Sequence, residues 1–128
     1  MPHVTMEYSA NLEALTDIAA LCRLAKTAMM ETGLFELGAV RVRAVRCDAY
    51  AIADELPENA FLAVLARIGA GRTLDEKKRI GEALHAALTQ ALAPLFDRPH
   101  FALSVDIVEN DPALSWKKNA IHARLRGA

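Results

Sequence analysis

The chain has 128 residues, 53% of them hydrophobic, with a formal net charge of −1 at pH 7, which suits one compact domain or two small halves sharing a core. The near-neutral charge argues against a nucleic-acid surface, which needs a clustered basic excess, and no run of ~18 apolar residues is present to span a membrane. The opening residues lack the charged and apolar regions of a signal peptide, and two cysteines, Cys22 and Cys47, make neither a disulfide framework nor a metal site, so a reduced, cytoplasmic protein is expected.

Pro2 follows the initiator methionine at the head of a strand-like segment. If Met1 is removed, Pro2 becomes an N-terminal secondary amine. A free α-amino group titrates near ~8 in water, and burial beside cationic groups lowers that value further. Such an amine can be unprotonated at neutral pH and act as a general base. A proline at this position alone says little; its weight comes from the residues further along the chain.

Val4, Met6 and Tyr8 alternate with Thr5 and Glu7, the period of a strand. From Asn11 to Glu31, Leu15, Ile18, Leu21, Cys22, Ala25 and Met29 recur at helical spacing, and Gly33 supplies a stop. Cys22 on that apolar face reads as core filling. A second strand is expected over Ala39–Val45, with Val40, Val42 and Ala44 on one face and Arg41, Arg43 and Val45 on the other. Cys47–Ala53 suggests a further short strand before the turn-like Leu56-Pro57-Glu58-Asn59.

The pattern then begins again. Ala60–Ile68 is almost continuously apolar, as in a strand buried on both faces. Gly69-Ala70-Gly71-Arg72 breaks it, and Thr73 with Glu76 has the spacing of a capping box. The helix so opened carries Ile80, Leu84, Ala87, Leu88, Ala91 and Leu95 on one stripe and ends near Pro94. In His100–Val108, Phe101, Leu103, Val105 and Ile107 share one face. The tail, Pro112–Ala128, holds the only tryptophan, Trp116, and a basic end.

The expected fold is therefore α+β in two layers: a tandem β-α-β repeat with a period of roughly 60 residues, its helices on one face of a four-stranded sheet. The pseudo-repeats are about 2–56 and 59–128 of a single domain, 1–128. The other sheet face stays bare, at a cost of roughly 25 cal/mol per Å² of apolar surface left in water, so association through that face is expected.

A double β-α-β repeat opened by an amino-terminal proline resembles the tautomerase superfamily. Within it, the chain is most similar to the 5-carboxymethyl-2-hydroxymuconate isomerases, trimeric enzymes of homoprotocatechuate catabolism. The similarity runs over nearly the whole length: Met1-Pro2-His3, Thr32-Gly33-Leu34-Phe35, Val40-Arg41-Val42-Arg43, Ile68-Gly69-Ala70-Gly71-Arg72-Thr73-Leu74, Ala102-Leu103-Ser104, Glu109, Pro112, Leu114, Trp116-Lys117-Lys118-Asn119 and His122-Ala123.

The resemblance implies a mixed sheet, with the first and third strands antiparallel and Arg72 brought beside the head of strand one. It implies a homotrimer, a small carboxylate substrate, and no nucleic-acid or membrane partner. It also implies that Pro2 moves a proton from the 2-hydroxyl of a dienol to a carbon further along the conjugated chain, with no cofactor and no metal. Arg72 and Arg41 match the family arginines expected to hold substrate carboxylates and to stabilise negative charge on the dienolate oxygen. Arg43 and His3 are further substrate-binding candidates, Arg43 because it shares a strand face with Arg41. Glycines 69 and 71 fit either a close backbone approach to ligand or a tight turn into the capped helix. Trp116 fits an oligomer contact or a pocket wall. His85, His100 and His122 lack metal-ligand spacing. Because Ser9-Ala10-Asn11 replaces the Gly-Arg loop in the first half and Asn59-Ala60 stands for Pro2 in the second, one active site per chain is expected. Two other functions fit the same scaffold: a tautomerase of another enol or ketoacid, and a non-catalytic ligand-binding protein should Met1 be retained.

Overall fold

Strand β1 (His3–Ser9) turns Val4, Met6 and Tyr8 into the core, the face their alternation assigns them. The computed structural model describes residues 1–127; Ala128, the end of the expected second repeat, lies outside the described residues. The first helix starts later than its spacing suggests. Ala10–Ala14 forms a 3₁₀ turn that buries Leu12 and leaves Leu15 54% exposed. Helix α1 (Ile18–Glu31) begins only after Asp17, whose carboxylate accepts from the Ala20 amide at 3.1 Å. An N-cap aspartate satisfies amides that the helix itself cannot pair, and so fixes the start. Gly33, at φ +72°, ends the helix in the left-handed region that glycine tolerates.

Strand β2 runs Arg41–Cys47, two residues beyond the expected span, because Leu37–Ala39 is spent on another 3₁₀ turn. The short strand expected over Cys47–Ala53 does not form. Ala53 and Glu55 adopt φ +50° and +63°, in the left-handed region, which breaks a pleated strand.

Strand β3 (Ala60–Ile68) matches its expected bounds but not its expected burial. Leu62, Val64, Ala66 and Ile68 are buried, whereas on the opposite face Leu65 is 44% exposed. The capping box is present: Thr73 Oγ1 accepts from the Glu76 amide at 3.1 Å, and Glu76 Oε1 from the Thr73 amide at 2.9 Å. It opens helix α2 (Leu74–Ala91), which buries Ile80, Leu84 and Leu88 and stops before Pro94. Strand β4 (Phe101–Glu109) packs Phe101, Leu103, Val105 and Ile107 on the core.

The four strands form one sheet in the order β2-β1-β3-β4. The outer pairs are parallel and the central pair, β1 with β3, is antiparallel. Helices α1 and α2 share one face, giving the expected α+β mixed sheet. The other face is open in the single chain, with Val45, Leu65 and Val108 each more than 40% exposed. Among the described residues no helix is long and apolar enough to cross a membrane.

A feature without a sequence counterpart is helix α3 (Ala120–Leu125), capped by Asn119, which docks on the Leu37–Ala39 turn. A Cβ on Gly38 would lie 2.9 Å from His122 Nδ1 and 3.2 Å from the α3 backbone, so glycine is needed for this approach. Arg126 closes the contact with two bonds to the Glu36 carboxylate, at 2.6 and 2.8 Å.

Removing the fully buried Leu84 side chain as Leu84→Ala is expected to lower the unfolding free energy by about 2–5 kcal/mol. Loss of the α2 cap in Thr73→Ala is expected to cost about 1 kcal/mol. Urea unfolding followed by circular dichroism checks both values and their order.

Candidate active site

The antiparallel pairing of β1 with β3 sets His3 opposite Arg67, while the parallel pairing with β2 sets His3 beside Arg41. The head of β1 is thus flanked by the start of β2 and the end of β3. Pro2 is buried there, and its carbonyl accepts from the Arg41 amide at 3.2 Å.

The loop leaving β3 carries Arg72 back to this end of the sheet. Its guanidinium donates to the Leu34 carbonyl at 3.0 Å and the Gly69 carbonyl at 3.3 Å. Its Cζ lies 4.4 Å from the centroid of the Phe35 ring, a distance at which a cation is attracted to the aromatic face. Gly71 takes φ +110°, so that glycine is required by the turn itself; Gly69 has no such requirement. Glu109 accepts from Lys77 Nζ at 2.7 Å. The Lys77 hydrogen bond, more than any other contact, holds its carboxyl below the usual range.

Arg41 Nη1 donates to the Ala39 carbonyl at 2.8 Å. Arg43, two residues on and on the same face, instead lies 3.2 Å from His3 Nδ1. The contact suits a neutral imidazole accepting from the guanidinium. Burial, then the charges of Arg43, Arg67 and Arg41, push the His3 pKa down, which favours that neutral form.

The terminal amine, carried here by Met1, has its pKa lowered below the ordinary 8.0. Burial is the largest cause. Next comes the nearby Lys117 ammonium, then the charges of Arg72 and Arg41. Among the described residues, Arg41, Arg43, Arg67, Arg72 and Lys117 take part in no salt bridge. A cleft of about 570 Å³ opens beside this cluster, walled by Met1, His3, Arg67, Trp116 and Lys117, among others. None of the five cations is tied to a carboxylate by direct contact, although Glu109 and Asp111 also line the cleft beside them. Such a place can receive an anion and hold a neutral amine against it.

The structure therefore brings Pro2, Arg41 and Arg72 to one end of the sheet and pairs His3 with Arg43. Two further cations at that end, Arg67 and Lys117, are not singled out by any sequence pattern. Arg67 ends an apolar strand, and alternation alone places it on the face opposite Ile68. Lys117 sits in a phrase, Trp116-Lys117-Lys118-Asn119, whose spacing carries no chemistry of its own.

At the opposite end of the sheet a second cleft, of about 440 Å³, is lined by Asn11, Ala60, Leu95, His100 and Phe101, among others. The buried Asn59 stands there at the position corresponding to Pro2. Its Nδ2 donates to the Ile52 carbonyl at 3.1 Å and Asp54 Oδ1 at 2.8 Å, and its Oδ1 lies 3.3 Å from His100 Nδ1. Its polar groups are engaged within the chain.

Comparison with known proteins identifies the family. Residues 2–125 match the family model described as 5-carboxymethyl-2-hydroxymuconate isomerase. A 5-carboxymethyl-2-hydroxymuconate Delta-isomerase of Escherichia coli is 32% identical over 123 residues, 96% of this chain and 98% of that protein. The crystal structure of a 5-carboxymethyl-2-hydroxymuconate isomerase from Deinococcus radiodurans R1 superposes with a TM-score of 0.91 at 40% identity, covering 98% of this chain and 94% of that one. A second crystal structure, of a 5-carboxymethyl-2-hydroxymuconate delta-isomerase, gives 0.90 at 29% identity over 100% and 95% of the two chains. The fold alone extends to a fused 4-OT symmetric trimer, at 13% identity, a TM-score of 0.62, and coverage of 91% and 93%. With the family model spanning almost the whole chain and 32% identity to the Escherichia coli enzyme, the chain belongs to the 5-carboxymethyl-2-hydroxymuconate isomerase family.

Proposed function

We propose that the protein is a 5-carboxymethyl-2-hydroxymuconate delta-isomerase that uses Pro2, freed of Met1, as its base in homoprotocatechuate (4-hydroxyphenylacetate) catabolism. The observation that supports the reading most is that Pro2 is buried at the sheet end where Lys117, Arg72 and Arg41 act on the adjoining, partly buried terminal amine of Met1, beside an open cleft. A methionine amide on Pro2 would leave its nitrogen without basicity, so processing is part of the mechanism. The family match begins at residue 2.

In the reaction, the Pro2 nitrogen takes the proton of the 2-hydroxyl group. The O–H electrons form the carbonyl, the conjugated double bonds shift, and the far carbon of the diene receives the proton back from Pro2. One O–H bond is lost and one C–H bond gained, with no net proton exchanged. Arg72 and Arg41 hold carboxylates and meet the charge that builds on the oxygen. Arg72 has guanidinium donors to spare, since only two are engaged, both by carbonyls. The His3–Arg43 pair orients the adjoining wall.

The proposal extends to the whole molecule. The chain is one domain of two pseudo-repeats, about 2–56 and 59–128, with one active site at the Pro2 end. Three copies associate through the open sheet face, a reading supported by the trimeric 4-OT relative and the exposed Leu65. The enzyme works in the cytoplasm.

Intact-mass spectrometry of natively expressed protein is expected to show loss of Met1, and ultraviolet spectroscopy to show ketonisation of the dienol. Pro2→Ala should lower kcat/KM by about 10²–10⁴-fold, and Arg72→Ala by about 10²–10³-fold. A processed protein inactive on this dienol but active on another enol would move the assignment to a different tautomerase; retained Met1 would end the proline mechanism.

The pH dependence has a fixed sign. The base works unprotonated, so kcat/KM rises with pH through the amine pKa. Burial, Lys117, Arg72 and Arg41 lower the pKa of the terminal amine on Met1, and the Pro2 amine, next in the chain and itself buried, is expected to be lowered by the same causes, with its acid limb below ~8. Arg72→Ala removes one of those cations and should move the limb of its residual activity to higher pH. Sedimentation equilibrium is expected to give three times the 13.9 kDa chain mass, and Leu65→Asp to disperse the assembly.

A further inference from the structure

The C-terminal tail reaches the head of β1 by a route that has no counterpart in the first half of the chain. Asn119 Nδ2 donates to the Gly38 carbonyl at 2.9 Å and lies 3.2 Å from Met1 Sδ. Its Oδ1 accepts from the Ile121 amide at 2.8 Å and so caps α3. The residues just before it are thereby held against the chain start. Trp116 and Lys117 line the 570 Å³ cleft together with His3 and Arg67.

Lys117 and Met1, which carries the terminal amine, line the same cleft, and the charge of Lys117 acts on that amine. Two protonated amines have only donors between them and no acceptor. Their approach is favourable when one is neutral or when an anion bridges them. Removing Met1 withdraws one residue, about 3.8 Å of backbone, from between Lys117 and Pro2. The space vacated lies between an ammonium and the nitrogen of the proposed base.

We propose that Lys117 is a substrate-binding residue that holds one carboxylate of the tricarboxylate, acting as a third fixed cation beside Arg41 and Arg72. This rests on the isomerase reading for the identity of the substrate. Lys117 and Arg67 are the two Lys or Arg side chains on the cleft wall, and Lys117 adds a cation from a segment that supplies neither Arg41 nor Arg72. Arg41 comes from β2, Arg72 from the loop after β3, and Lys117 from the tail. Neighbouring Lys118 lies on the same tail but is not part of the cleft wall. Of the acidic groups on that wall, Glu109 is tied to Lys77 and Asp111 Oδ1 accepts from the Ala113 amide at 2.9 Å. Neither forms a salt bridge with Lys117.

The test uses the Met1-processed protein and two independent readouts. Trp116, the only tryptophan, reports binding of propane-1,2,3-tricarboxylate and of glutarate, which lacks one carboxylate. Lys117→Met is expected to weaken tricarboxylate binding about tenfold, the scale of one charge-assisted hydrogen bond, and glutarate binding much less. Lys117→Arg should restore part of the loss, and Lys118→Met should change nothing. In turnover, Lys117→Met should raise KM for 5-carboxymethyl-2-hydroxymuconate with a small change in kcat. It should leave KM for 2-hydroxymuconate, which lacks the carboxymethyl group, nearly unchanged.

Equal losses on the two ligands, no loss on either, or a shifted acid limb without a change in KM would overturn the assignment. So would a wild type that binds tricarboxylate no better than glutarate. If wild type turns over neither dienol but Lys117→Met still loses tricarboxylate affinity selectively, the carboxylate site stands and the isomerase reading falls. Normal turnover with unaffected affinity gives the converse.

Discussion

The antiparallel pairing of β1 with β3 is the constraint on which the rest of the molecule depends. Each β-α-β unit is internally parallel, so both strands of a unit end at the same edge of the sheet. Joining the units antiparallel places the end of β3 against the beginning of β1, with Arg67 opposite His3. The loop after β3 therefore reaches Pro2, although 70 residues separate Pro2 from Arg72. At the other end, Ser9 Oγ accepts from the Phe61 amide at 2.9 Å and Asn11 donates to the Asn59 carbonyl at 2.7 Å. A slip of one residue would turn Val4, Met6 and Leu62 out of the core. Core burial thus fixes the alignment of the proposed site to within a residue.

Gathering cations around an amine is costly by itself, and the way the arginines are held bears on how the site would work. Arg72 is oriented by two carbonyls and an aromatic face, and Arg41 by the Ala39 carbonyl. Carbonyl dipoles and a ring quadrupole direct a guanidinium while leaving its full charge in place. A carboxylate partner would hold it as firmly and cancel its field. The chain does use carboxylate partners elsewhere, as in Arg126–Glu36, and at the cleft wall the Glu109 carboxylate is taken up by Lys77. This division keeps the lowered pKa of the terminal amine compatible with an ordered loop.

The parts of this design that rest on local rules are legible in the sequence. Alternation in β1 and β4, the bounds of β3, the Thr73–Glu76 capping box and the stop at Gly33 are set by neighbouring residues, and all are found. The start of α1 falls later than expected because Leu12 and Leu15 satisfy a helical period, yet Asp17 offers the stronger start signal and the preceding turn packs Leu12 separately. The extra strand over Cys47–Ala53 fails because left-handed residues at Ala53 and Glu55 leave no mark that distinguishes them from extended ones. The face of β3 that carries Leu65 reads as buried because composition records apolar character without saying which copy of the chain covers it. Helix α3 and the placement of Lys117 depend on a contact between residues 38 and 122, about 80 positions apart, which no local pattern contains. Arg72 is placed near Pro2 through family likeness; periodicity alone does not choose the handedness or order of the strands.

The two ends of the sheet differ for a reason rooted in chain connectivity. Only a chain terminus can offer a backbone amine, and the position corresponding to Pro2 in the second half is internal. Asn59 must be joined to Glu58, and its amide nitrogen donates to the Leu56 carbonyl at 3.0 Å. An amide there has no basicity to tune, so a cluster of cations around it would bring repulsion without chemistry. The polar groups at that end instead close the link between the halves, with Asn11, Asp54 and His100 engaging Asn59. The cleft beside them is lined largely by apolar residues such as Leu15, Pro94 and Phe101. The asymmetry between a charged end and an apolar end then needs no separate origin: it arises once two similar units are linked in one chain with a single amino terminus.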